Sequence, residues 1–168
     1  MPEVHVPTSA AELDHVRDLM RAFIAWHRAR HQQDLDLIDS YFDAAAFEEE
    51  LAALPGKYAP PRGQLFLATV DGAPAGCVAL REIDATRCEM KRMFVTPGAQ
   101  GRGAGRALGT ELIRAARAQG YASMYLDTST RQTEALSLYR SLGFAEVEPY
   151  YQAPQGVRDW LIFMRLDL

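Results

Sequence analysis

Met93-Phe94-Val95-Thr96-Pro97-Gly98-Ala99-Gln100-Gly101-Arg102-Gly103-Ala104-Gly105-Arg106 is the stretch on which the fold turns. An apolar strand end runs into a Pro and Gly turn, and the alternating glycines Gly101, Gly103 and Gly105 open a helix. Glycines there let the backbone approach a ligand closely, while the first helical amides lack intrahelical partners and carry the positive end of the dipole. Such an element binds phosphate, and Arg102 and Arg106 add positive charge beside it. The dinucleotide fingerprint G-x-G-x-x-G fails, because counting from Gly101 ends on Arg106 and counting from Gly103 ends on Leu108. Walker A fails as well, since Ala104 and Gly105 stand where Lys and Ser or Thr are required. What remains is Q-x-x-G-x-G, at Gln100, Gly103 and Gly105.

Working outward, Gln64 to Val70 reads as a strand, Asp71-Gly72 as a hairpin turn, Ala75 to Arg81 as a second strand and Cys88 to Val95 as a third. The glycine-opened helix runs from Gly103 to Gln119, with Leu108, Leu112, Ala115 and Ala116 on its apolar face and Gly120 just past its end. Strand Ala122 to Thr128, helix Arg131 to Leu142 and a stop at Gly143-Phe144 follow. Nearer the N-terminus, Ser9 and Glu12 form a capping box, and Leu13, Val16, Leu19, Met20, Phe23, Ile24 and His27 recur at helical spacing. A second helix is predicted over about Phe42 to Leu54, a loop over Pro55 to Gly63 and a final strand over Asp159 to Asp167. Three meandering strands and a crossover helix into a fourth imply one α/β domain over residues 1–168, a mixed sheet with helices on its faces.

Composition narrows the classes. The chain has 168 residues, 48% of them hydrophobic, and 18 Lys+Arg against 22 Asp+Glu give a net charge of −4. Folding at this length buries roughly 70% of the unfolded surface, so one core suffices without staples. The balance lacks the basic excess that nucleic-acid binding needs. No apolar run approaches the roughly 18 residues of a membrane span. The opening Met-Pro-Glu-Val-His-Val-Pro has acid where a signal peptide needs base, so a cytoplasmic location is expected. Cys77 and Cys88 form no disulfide framework and read as small strand hydrophobes. The chain has no asparagine, and its basic residues are sixteen arginines with only Lys57 and Lys91 as lysines.

From about Gln64 to Glu146 the sequence resembles the GNAT superfamily of acyl-CoA-dependent N-acetyltransferases. The resemblance rests on Met93-Phe94-Val95-x-Pro97, on Q-x-x-G-x-G, on Leu126-Asp127-Thr128, and on A-x-x-L-Y-x-x-x-G-F from Ala135 to Phe144. It implies a mostly antiparallel sheet with splayed parallel middle strands and helices on both faces. It also implies acetyl-CoA as cosubstrate, with Gln100, Gly101, Arg102, Gly103, Ala104, Gly105 and Arg106 around the pyrophosphate of coenzyme A. Met93, Phe94 and Val95 would then follow the pantetheine arm. A primary amine of a small molecule would be the acceptor, with a protein amine, or a non-catalytic acyl-CoA-binding module, as the alternatives, and the protein would be a monomer or homodimer.

The strand Cys88 to Val95 is unusual by itself, for Glu89, Lys91 and Arg92 are charged on an inner strand. Three successive apolar residues, Met93 to Val95, point to a bulge or to a strand covered on both faces. By resemblance, an amide near Met93 would stabilise the oxyanion of the reaction. Glu89, eleven residues before Gln100, matches the position of a catalytic glutamate in the histone-acetylating branch; pairing with Arg81, Arg87 or Lys91 is the structural alternative. Tyr139 shares a helix face with Ala135, Leu138 and Leu142, as a core tyrosine would, and by resemblance it is the acid that protonates the departing thiolate. Gln132 stands where many GNAT members use asparagine against the pantetheine, and it also fits a capping box with Ser129.

His27 and His31 are four apart, but Arg28 replaces the Glu of H-E-x-x-H and no third ligand is visible. No metal is expected, and the pair reads as a solvated helix end. No cysteine has a nucleophile's motif, so direct transfer in a ternary complex is expected. Residues 1–58 carry eleven acidic and five basic side chains, a net of −6, and residues 87–117 carry seven basic and two acidic, a net of +5. The basic half suits an anionic cofactor. The acidic half reads as a solvated face or, where it borders the acceptor site, as a match for a cationic amine. The loop Pro149-Tyr150-Tyr151-Gln152-Ala153-Pro154 is a second candidate border of that site.

Overall fold

In the computed structural model, which describes residues 1–168, seven strands form one sheet. They are β1 (Pro2–His5), β2 (Gln64–Val70), β3 (Ala73–Glu82), β4 (Arg87–Val95), β5 (Ser123–Ser129), β6 (Ala145–Val147) and β7 (Leu161–Asp167). Six α-helices flank them: α1 (Ala10–Arg30), α2 (Leu35–Tyr41), α3 (Ala44–Ala52), α4 (Ala104–Ala118), α5 (Thr133–Ser141) and α6 (Gln155–Trp160). The strand order is β1-β2-β3-β4-β5-β7-β6. Every neighbouring pair is antiparallel except β4 with β5. This is the mixed, mostly antiparallel α/β architecture that the sequence implied.

Alternation along the strands sorts two cores. Phe66, Val78, Leu80 and Met90 pack with Leu108 and Leu112 of α4 on one face. Leu65, Leu67, Cys77 and Ala79 pack with Val16 and Met20 of α1 and Leu51 of α3 on the other. Successive strand residues point to opposite faces, so these two sets are the odd and even positions of the same strands. Asp71 and Gly72, at φ 52° and 78°, close the β2–β3 hairpin with the two left-handed residues of a type I′ turn.

β4 breaks its own alternation. It pairs with β3 at Lys91↔Ala79 and again at Phe94↔Cys77, so Arg92 and Met93 together oppose Val78. This is a β-bulge, with Arg92 at the positive φ of 59°. The extra residue reverses the facing of everything beyond it. Without it, Arg92 and Phe94 would follow Cys88 and Met90 onto the α4 face; with it, Phe94 joins the α1 core. Arg92 turns instead to α3, where its Nε and Nη2 donate to both carboxylate oxygens of Glu50 at 2.8 and 3.0 Å.

Several boundaries depart from the sequence reading. β1 was not anticipated: Pro2 and Pro7 obscure it, and it exists because its residues pair with Val70 to Leu67 at the sheet edge. The helix expected over Phe42 to Leu54 is α3, capped by Asp43 through the amide of Ala46, and α2 precedes it as a separate helix. The strand expected from Asp159 begins at Leu161, after α6, and the short β6 pairs with β7 beyond the Gly143-Phe144 stop. The bulge sits one residue earlier than the apolar run suggested, because the charged Arg92 is the residue that must leave the core.

Burial alone would raise the Glu50 carboxyl, but its bonds to Arg92, and then to Lys57, hold it at about 2. A depressed carboxylate contributes stability above its unfolded value of ~4.5 that is lost as pH falls through the folded one. Glu50→Gln should therefore destabilise the protein by about 3–5 kcal/mol at pH 7, since a buried guanidinium loses its partner. Its stability should also fall less steeply than wild type below about pH 4.5 in denaturant melts. Parallel acid limbs would exclude this pair as their source.

Candidate active site

The glycine stretch folds as its spacing requires. Gly103, at φ 87°, is the N-cap of α4, and the Gln100 side chain donates to the Val95 carbonyl at 3.2 Å, tying the loop back to β4. A Cβ on Gly105 would stand 3.1 Å from Leu138 of α5, so only glycine keeps this wall open without displacing its neighbour. The cleft so formed is lined by Val95, Gly101, Gly103, Gly105, Arg106 and Leu138, and Gln100, Ala104, Met93, Phe94 and Gln132 also reach it. Arg106 stays at the cleft, donating to Ser141 Oγ at 2.7 Å. Arg102 turns away to Asp71 at 2.8 Å and does not line the cleft.

The cleft leads into the sheet. β4 and β5 pair only at Arg87, Cys88 and Glu89 against Ser123, Met124 and Tyr125, and then diverge. A cavity opens between them, lined by Met90, Lys91, Leu126, Asp127 and Tyr139 among others, and it shares Met93, Gln132 and Ala135 with the cleft. Three buried polar atoms of its lining have no partner: Gln132 Nε2, Ser129 Oγ and His27 Nδ1. Buried polar groups are ordinarily hydrogen-bonded, so this wall is built to meet a polar ligand. The Ser129–Gln132 capping box does not form; Gln132 is itself the N-cap of α5, and its amide is left for the cavity. Tyr139 is buried here, and its phenol is raised above the ordinary range by burial and then by Asp127, so it stays protonated at neutral pH.

On the far side of β4 lies a network of charges and phenols. Glu89 is 1% exposed; it accepts from Arg81 Nε at 2.6 Å and from the Tyr150 hydroxyl. Asp127 on β5 accepts from Tyr41 at 2.5 Å and from Tyr151. Lys91 stands between the two carboxylates, 3.8 Å from each, and donates to Tyr41 Oη at 3.0 Å. Of the pairings weighed for Glu89, Arg81 and Lys91 are present; Arg87 turns to Asp84. Lys91, Arg92 and Tyr41 line both the strand cavity and an outer pocket beyond it. Cleft, cavity and outer pocket therefore adjoin one another as one route across the sheet, each sharing wall residues with the next.

The structure brings Glu89, Tyr139, Gln132, Met93 and the glycine loop to that route, and adds Asp127, Lys91, Tyr41 and the Tyr150–Tyr151 pair. The charges of β4 and the aromatic loop signalled some of these in the sequence. Tyr41 was hidden because α2 has no cap signature. His27 and His31 are not a solvated end: they are 2% and 7% exposed, with ring centroids 5.0 Å apart. Both cysteines are buried, and burial pushes each thiol up to about 12. No helix is long and apolar enough to cross a membrane.

Comparison with known proteins agrees with this geometry. The Acetyltransferase (GNAT) family is matched over residues 17–144. An uncharacterized N-acetyltransferase of Schizosaccharomyces pombe is 38% identical over 123 residues, covering 72% of this chain and 74% of that one. Another, from Dictyostelium discoideum, is 28% identical and covers 98% of this chain and 99% of its own. The structure of PaiA N-acetyltransferase from Thermoplasma acidophilum in complex with coenzyme A shares the fold, with a TM-score of 0.75 at 16% identity over 100% of this chain and 99% of that one.

Burial, and then the neighbouring His31, lower His27 to about 4. An NMR titration of its ring protons should show that midpoint instead of the ordinary ~6.5. As pH falls below ~6.5 the unfolded chain takes up this proton first, so the histidine's contribution to stability declines until the folded ring is charged as well. An ordinary midpoint would mean that the ring is open to solvent.

Proposed function

Given that the chain belongs to the acetyltransferase (GNAT) family and is an N-acetyltransferase, we propose that it moves the acetyl group of acetyl-CoA directly to a primary amine of a small molecule within a ternary complex. The observation that carries this reading is the succession of adjoining pockets, each sharing wall residues with the next, from the glycine cleft, past the diverging strands, to the charged outer pocket. A donor entering one face and an acceptor entering the other meet at Met93 and Tyr139. That the Thermoplasma acidophilum protein of the same fold was solved in complex with coenzyme A supports coenzyme A chemistry for the donor.

The residues present fit the donor. The first amides of α4 and the guanidinium of Arg106 face a pyrophosphate, and Gln132 Nε2 and Ser129 Oγ offer the polar contacts that a pantetheine amide needs. Acetyl-CoA supplies an activated acyl group. The bulge takes Arg92 and Met93 out of step with β3, which suits an amide near Met93 to stabilise charge on the thioester oxygen.

In the transfer, the neutral amine forms its C–N bond to the thioester carbon while the C–S bond breaks. The amine's proton passes to Glu89, whose carboxylate lines the outer pocket and is held there by the Tyr150 hydroxyl and Arg81. Tyr139 gives its phenolic proton to the departing sulfur and regains one from solvent. The thiols of Cys77 and Cys88, buried and protonated, take no part.

Free-thiol release from acetyl-CoA, measured across a panel of amines, tests the reading. Glu89→Gln and Tyr139→Phe should each lower kcat by ~10²–10⁴, the usual contribution of a positioned acid or base. Both should retain coenzyme A affinity in thermal-shift titrations, because a ligand of the native state raises the melting temperature. Full turnover in either variant removes that residue from the mechanism. No shift with millimolar coenzyme A sinks the donor assignment.

A further inference from the structure

We propose that the acceptor is an amine carrying a carboxylate close to its amino group, as in an α- or β-amino acid, and that Lys91 is the centre of the site that holds this carboxylate. The proposal rests on the transferase reading and names the substrate class of that same site.

The first argument is charge. The outer pocket is lined by Lys57, Arg81, Lys91 and Arg92, against the single carboxylate of Glu89. Counting also the carboxylates bonded to this wall from behind, Glu50 and Asp127, four positive groups still meet three negative ones, a net of +1. A cationic amine would enter against that field, and a carboxylate would enter with it.

The second argument is unfilled bonding capacity. Lys91 has three N–H donors, and its ammonium makes one hydrogen bond, to Tyr41. Its two carboxylate neighbours stand at 3.8 Å, beyond hydrogen-bond range. The side chain is 15% exposed, so the remaining donors are largely withdrawn from bulk water and open onto the route. A buried ammonium with free donors is a place for an anionic oxygen.

The third argument is the fate of the acidic N-terminal third, which would otherwise favour a cationic acceptor. Asp34 is bonded to Arg131 and Trp160, Asp39 to Arg28, Glu48 to Arg21 and Glu50 to Arg92 and Lys57, and Asp43 caps α3. These carboxylates tie α2 and α3 to the body. None lines the outer pocket. Position then sets the distance between the acceptor's two groups. Lys91 and Arg92 line both the strand cavity, where the thioester would end, and the outer pocket. Because Lys91 itself lines the cavity where the thioester would end, a carboxylate held by it would lie close to the attacking nitrogen, which favours a short link between the two groups.

The test pairs glycine, β-alanine, aspartate and glutamate with their carboxamide twins, and adds polyamines, in the free-thiol assay and in calorimetric titrations of the coenzyme A complex. The free acids should exceed their twins in kcat/KM by about 10- to 100-fold, as a hydrogen bond to a charged group predicts. Lys91→Met should raise KM for the acids by a similar factor while KM for acetyl-CoA stays fixed. Lys57→Gln, which removes the charge while keeping an amide donor beside Glu50, should raise acceptor KM several-fold in the same direction, with an unchanged far-UV circular dichroism spectrum as the folding check. Equal use of acids and carboxamides, or preference for polyamines, overturns the proposal and leaves the transferase reading intact. So does the absence of both binding and turnover of every acid by an enzyme that binds coenzyme A. Failure to bind coenzyme A would instead strike the transferase reading itself.

Discussion

Everything at the centre of this protein depends on two adjacent parallel strands that begin paired and are not allowed to stay so. β4 and β5 share three residues of register and then part. Parallel strands that diverge inside a sheet leave backbone groups and a gap that the fold must manage, and unmet buried polar groups are expensive. The bulge at Arg92 and Met93 is the device on one side: it holds β4 to β3 while twisting its end away from β5. On the other side, Ser129 and Gln132 leave their polar atoms without protein partners. Under the proposed function, a substrate fills this gap and meets those atoms.

The same bulge decides the electrostatics. Alternation places Glu89 and Lys91 on the face opposite the apolar α4 core, with Asp127 of the neighbouring strand, and the extra residue adds Arg92 to them. Charges so buried are tolerable only in a connected set, and here each has a partner: Arg81 on Glu89, Glu50 on Arg92, tyrosine hydroxyls on both carboxylates. Lys91 is the least satisfied member. The side chains of Glu89 and Asp127, each only 1% exposed, are ionisable groups largely withdrawn from water, the condition under which fixed charges act strongly on a developing one.

How much of this the chain disclosed beforehand depends on whether the cause was local. The glycine loop, the capping box of α1 and the Asp71-Gly72 turn were legible because backbone conformation is set there by neighbours in sequence. Tyr139 and Glu89 stood out through the family resemblance, since spacing and type alone fit a core tyrosine and a cross-sheet ion pair at least as well. β1 and β6 were not legible, since short edge strands exist through pairing with distant segments and their own propensities are weak. The buried state of His27 and His31 was also hidden: Trp160, whose ring stacks 5.8 Å from His27, lies far along the chain. The facing of Arg92 required knowing the position of a one-residue bulge, and the acidity of the N-terminal third seemed to point at a ligand when Asp34, Asp39, Glu48 and Glu50 close onto arginines and Asp43 caps a helix.

The two ends of the route have no lining residue in common. The glycine cleft draws on Phe23, Trp26, the stretch from Met93 to Arg106 and α5, whereas the outer pocket draws on α2, Lys57, Arg81, β4 before the bulge, and residues from Tyr151 to Val157. Mutations that reshape one therefore need not pass through the other. A lineage built on this plan can exchange its acceptor by drift in two surface segments while inheriting the donor machinery unaltered, so kinship recorded in the glycine loop and in α5 carries little information about what is being acetylated.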